Sequence, residues 1–116
     1  MSSELTESEA IGHFQHWIKT ARDGARFAMF DVRGPLRVVP ALKNAAEAAR
    51  AVGFLRNDEN WLGYGKMLDN LVENRPKGWR PGNQQWLEVA GRLEKVRLAV
   101  ERKFVAATQI SVGWGS

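Results

Sequence analysis

Between Thr6 and Val32 the apolar residues fall at Ile11, Phe14, Ile18, Ala21, Ala25, Ala28 and Val32, with spacings of three and four. Only an α-helix gathers residues at that period on one side, since a strand would send neighbours to opposite faces. Such a stripe must be hidden from water, so the chain needs other apolar helices to cover it. Thr6 followed by Glu9 is a capping box, in which each side chain satisfies an amide of the first turn. The pattern predicts a first helix reaching Arg33. Gly24 is its weak point. It is either a tolerated interior glycine, at about 1 kcal/mol relative to alanine, or a stop. A stop would leave residues 26–32 as a short strand or irregular segment, since Phe27 and Phe30 stand off the stripe.

Three further helices follow from similar reasoning. Gly34-Pro35 is expected to break the chain. Pro40 suits the first turn of a second helix, where its missing N–H costs nothing. Ala41 to Val52 then forms strongly helical sequence, ended by Gly53 or by Arg56-Asn57-Asp58. Asn57 or Asp58 caps a third helix with Trp61, Leu62, Leu68, Leu71 and Val72 on its apolar face, closing near Asn74 ahead of Pro76. The clearest loop is Pro76 to Gly82. Asn83 is expected to cap the longest helix, running to about Ala107, with a main stripe of Trp86, Val89, Ala90, Leu93, Val96, Val100 and Phe104. Leu87, Leu98 and Val105 make a second, narrower stripe. No segment alternates in the two-residue rhythm of a sheet. With 116 residues the chain fits one domain. The expected fold is all-α: an antiparallel four-helix bundle with a long C-terminal helix and a short irregular tail. Residues 1–5 and 108–116 are expected to be flexible or loosely docked.

Composition narrows the function classes. Cysteine is absent, which excludes disulfides, thiolate metal sites and cysteine nucleophiles. The N-terminus, Met1 to Glu7, is polar and acidic, unlike a signal peptide. No window approaches the roughly 20 consecutive apolar residues of a membrane span. A cytoplasmic protein without membrane attachment is expected. Net charge is +4, but acids and bases are interleaved along most of the chain. On the last helix, for example, the spacing of Glu88 to Arg92 and Arg97 to Glu101 suits surface ion pairs.

Catalytic patterns are sparse. Glu9, His13 and His16 share one side of the first helix and make a three-ligand metal candidate. That side lies opposite the apolar stripe, however, where no second shell encloses a metal. Lys19 after His16 resembles the pattern of histidine phosphotransfer domains, but Thr20 stands where a small residue or glycine is expected, so the role does not transfer. Trp61-Leu62-Gly63 is similar to the turn of small secreted helical-hairpin proteins, yet here it falls in a first helical turn. There is no Gly-x-Ser-x-Gly elbow, and Gly63-x-Gly65 lacks the third glycine of a phosphate loop. Neither an enzyme nor a cofactor is expected.

The strongest functional signal is the loop in which Arg75, Lys77 and Arg80 bracket Trp79. Tryptophan and arginine dominate protein-interface hot spots, and the same residues can stack a base while holding phosphates. Trp79 and Arg80, with Trp114 in the tail and Leu98 on the last helix, are therefore the expected contacts of a protein partner or of a second copy. The alternative is nucleic acid bound by Arg75, Lys77, Trp79 and Arg80. A metal-binding bundle using Glu9, His13 and His16 stands third.

Overall fold

The computed structural model of the chain describes residues 6–78, 80–82 and 84–113, with side chains as far as Arg102. Those residues form four helices and no strand: α1 Glu7–Phe27, α2 Arg33–Arg56, α3 Glu59–Glu73 and α4 Gln84–Gly113.

The capping box starts α1 as its residues dictate. Thr6 Oγ1 accepts from the Glu9 N–H at 3.1 Å, and the Thr6 N–H donates to Glu9 Oε1 at 3.1 Å. Ile11, Phe14, Ile18, Ala21 and Ala25 are buried along the expected stripe. The helix ends at Phe27, however, and not at Arg33. The Phe30 and Asp31 N–H groups both donate to the Phe27 carbonyl at 3.0 Å, which curls the chain out of the helix. The Asp31 carboxylate then accepts from the Arg33 N–H at 2.8 Å and fixes the start of α2. Val32, expected on the buried stripe, is about half exposed as a result.

Gly34-Pro35, expected to break the chain, lies inside the first turn of α2. Amides in a first turn have no helical carbonyl four residues back to meet, so proline is accommodated there. Gly34 has a different role. A Cβ at this position would stand 2.5 Å from the Ala28 backbone nitrogen and 2.7 Å from the Gly24 carbonyl oxygen. Only glycine lets α1 and α2 come so close. Gly24 is thus an interior residue at the helix crossing and no stop. Because α2 begins at Arg33, Pro40 falls well beyond the first turn where it was expected. It has no N–H for the Leu36 carbonyl, the usual cost of an interior proline.

At its far end α2 closes on Asn57, whose φ of 52° is left-handed, a conformation asparagine tolerates. Asp58 Oδ1 then accepts from the Asn60 N–H at 2.9 Å and caps α3.

The alanines of α2 set the packing. Ala41, Ala45, Ala46, Ala48 and Ala49 are buried, and their small side chains let α2 lie between α1 and α3. Phe14 on α1 meets Trp61 edge-on at 5.0 Å and Tyr64 in a stacked arrangement at 6.1 Å, so an aromatic cluster joins α1 to α3. On its other side α1 packs against α4. Trp86, Val89, Ala90, Leu93, Val96 and Val100 of α4 are buried as the stripe requires, whereas Asn83 and the side chains of Phe104 and Val105 lie outside the described residues. Arg22 binds Glu94 at 2.6 Å across this interface. The helical assignment of α4 continues past the expected end near Ala107. Among the described residues α3 and α4 form no interface comparable to the other three. An open cleft of about 450 Å³ separates them, with Met67 and Leu71 on one wall and Glu88, Val89 and Arg92 on the other.

Candidate functional site

The early stop of α1 leaves a run of exposed apolar side chains around the start of α2. Phe30 in the turn is 81% exposed, Leu36 in the first turns of α2 is 72% exposed, and Val32 lies between them. Phe27 stands at the edge, with the Arg37 guanidinium 5.5 Å from its ring centre. The 76–82 loop folds onto this corner, because the Gly82 N–H donates to the Met29 carbonyl at 2.9 Å. Gly78 and Gly82 both take positive φ, which lets the loop turn tightly enough to return.

Between loop and corner runs a groove of about 820 Å³. Val32, Pro35, Leu36 and Val39 of α2 form one side; Glu73, Arg75, Pro76, Lys77 and Gly78 form the other, with Trp86 contributing from α4. Trp86 is buried, and its Nε1–H has no acceptor among the described residues.

The charges around the groove divide into those already engaged and those available. Asp31 forms an ion pair with Arg33 at 2.6 Å. Hydrogen bonds from the Arg33 guanidinium, and then from the Arg33 backbone N–H, hold its carboxyl at about 2. Arg37, Arg75 and Lys77 have no carboxylate at ion-pair distance among the described residues. The Arg75 guanidinium donates to the Val72 carbonyl at 2.7 Å. The corner is therefore apolar with a cationic margin.

The expected site residues are distributed unevenly. Arg75 and Lys77 line the groove and Arg80 is exposed on the same loop. Trp79 and Trp114 lie outside the described residues. Leu98 is 37% exposed on α4. It sits fourteen residues beyond Gln84, about 21 Å along the helix, so it is remote from the loop. Phe30, Val32 and Leu36 were not among the expected contacts. Their signal was present, because Phe27 and Phe30 lie off the α1 stripe, but a helix reaching Arg33 hid its meaning.

The remaining polar clusters are structural. The Glu9 carboxylate accepts from the Thr6 backbone N–H, and that bond, followed by the nearby Thr6 side chain, lowers its pKa. It is thereby committed to the helix cap. His16 lies edge-on to Trp17 at 4.8 Å, and His13 borders a shallow depression beside Trp17, Asn44 and Glu47. Among the described residues no three histidine or carboxylate side chains are grouped to hold a metal. Between α1 and α4, Glu94 receives Arg97 at 3.0 Å and Arg22 at 2.6 Å, which hold its carboxyl at about 2. Such a carboxylate stays ionised at neutral pH and serves as a brace between helices. Arg97 also reaches Glu101 at 2.8 Å, as the spacing predicts, whereas Glu88 and Arg92, expected to pair in the same way, are not at ion-pair distance and both line the α3–α4 cleft.

No helix among the described residues is long and apolar enough to cross a membrane. Comparison with protein-family models, with curated proteins and with solved structures finds no match to this chain.

Proposed function

We propose that this chain is a small non-catalytic cytoplasmic module that binds another protein or a second copy of itself, and that the α1–α2 corner is its contact surface. The observation that carries this reading is the exposure of Leu36 in a groove whose opposite side bears Arg75 and Lys77, with the still more exposed Phe30 in the turn just before α2. Large apolar side chains left clustered in water mark interfaces more often than chance surface. Arg80, Leu98, Trp79 and Trp114 belong to the same proposal as further contacts. So does an antiparallel bundle with a long C-terminal helix, a topology favoured by the short connections.

Nucleic acid is the second reading, supported by Arg75 and Lys77 having no carboxylate at ion-pair distance among the described residues. One experiment addresses both readings. Wild type and a Phe30→Ser/Leu36→Ser variant are compared by light scattering across a dilution series, by pull-down from the native host and by titration with DNA and RNA. Face-dependent self-association, or face-dependent capture of a defined protein, is expected. Identical behaviour of the two proteins in the first two assays refutes the protein-binding reading. Oligonucleotide binding that falls steeply with salt would favour the second.

A further inference from the structure

Two apolar stripes leave the first turns of α2. Gly34, Val38 and Ala41 are buried at the α1 side. Val32, Pro35, Leu36 and Val39, again three and four apart, line the groove, and nothing among the described residues covers Leu36. A helix that keeps a second apolar stripe in water is half of an interface.

The charge pattern says what the other half carries. Among the described residues Arg75 and Lys77 on the groove wall have no carboxylate at ion-pair distance, and Asp31 is already held by Arg33. Glu73 is the one acid on the wall. At about 820 Å³ the groove lies high in the range of roughly 300–1,000 Å³ typical of sites that engulf a ligand. It has room for several side chains.

We infer that this groove seats an acidic amphipathic peptide segment, its apolar side chains against Leu36 and Val39 and its carboxylates toward Arg75 and Lys77. The inference rests on the protein-binding reading and narrows it to one class of partner. Helix-in-groove recognition supplies the logic, with apolar anchors three and four residues apart filling a cleft. Charged groups at the rim select the partner by sign and speed its arrival. A nucleic-acid strand fits the same wall less well. Base stacking needs an open aromatic face, and Trp86, the aromatic residue of the wall among the described residues, is 1% exposed.

The test uses a fluorescein-labelled synthetic peptide with leucines at helical three-and-four spacing and glutamates between them, and a twin with lysine in place of glutamate. Anisotropy titrations are run at low and high salt on the full chain. The glutamate peptide is expected to bind at least about tenfold more tightly than its twin. Leu36→Ser should weaken it by about tenfold, and Phe54→Ser, at the opposite end of α2, should leave it unchanged. Arg75→Glu combined with Lys77→Glu should also weaken binding about tenfold at low salt, and less at high salt. Backbone amide shifts on binding should centre on residues 32–39. Equal binding of the two peptides, indifference to Leu36→Ser, or displacement by an equally charged oligonucleotide or anionic lipid vesicle overturns the inference. If the glutamate peptide fails while the Phe30→Ser/Leu36→Ser protein still loses its partner or its self-association, this inference falls and the protein-binding reading stands. If neither changes, both fall.

Discussion

Replacing Gly34 with alanine tests the geometry on which the exposed corner depends. The added Cβ would meet the Ala28 nitrogen at 2.5 Å, the Ala28 Cα at 2.6 Å and the Gly24 carbonyl oxygen at 2.7 Å. Ordinary contact begins near 3.4 Å. The two helices must therefore part by about 0.9 Å at their tightest point, and every obstructing atom is backbone. No side chain can swing aside to absorb the clash. Overpacking of this kind costs about 1–3 kcal/mol, with the upper end expected where only backbone can move. Alanine returns somewhat less than about 1 kcal/mol of helix propensity so near a helix start. The net loss is about 2 kcal/mol, or about 8 °C in melting temperature for a chain of this size. Gly12→Ala and Gly91→Ala are the matched controls, because no atom lies within 4 Å of a Cβ at either position. Each should gain about 1 kcal/mol and about 4 °C. Urea unfolding followed by far-UV circular dichroism measures all three. A Gly34→Ala protein as stable as wild type would show that α1 and α2 do not approach so closely. The account of the exposed corner would then fail with it.

Further outcomes follow from other elements. Pro40→Ala restores an N–H to the Leu36 carbonyl and should stabilise the chain by about 1–3 kcal/mol, read as a raised urea midpoint; no gain would mean that this carbonyl already has a donor. Glu94 is held at about 2 by Arg97 and Arg22, so it is ionised in both the folded and unfolded states at neutral pH. As pH falls below about 4.5 the unfolded chain takes up its proton first, so this part of the stability should fade between about pH 4.5 and 2. Glu94→Gln should lower stability at neutral pH and flatten that acid limb; an unchanged limb in pH-dependent urea unfolding would contradict the brace between α1 and α4. Thr6→Ala removes the acceptor for the Glu9 N–H and should cost about 1 kcal/mol, with thermal unfolding as the check and an unchanged midpoint as the refutation. Phe30→Ser, at a side chain 81% exposed, should move the melting temperature by no more than about 2 °C; a large loss would mean that Phe30 is covered in solution.

Some of this protein was written in local sequence. The α1 cap could be read from Thr6 and Glu9, and the buried stripes of α1 and α4 from their periodicity, because both signals involve residues only three and four apart. The Asp58 cap of α3 and the glycine-bearing loop ahead of α4 were legible on the same grounds. Gly34-Pro35 was not. As a dipeptide it resembles a break; only the approach of Ala28 and Gly24 shows why glycine is needed there, and only the start of α2 at Arg33 places the proline harmlessly in a first turn. That one shift moved Val32 off the buried stripe into water and brought it, with Leu36, beside Arg75 and Lys77, some forty residues further along the chain. Helical period is a property of near neighbours, which a linear pattern records. Which stripes find a cover depends on how distant segments pack, and tertiary contact alone decided it.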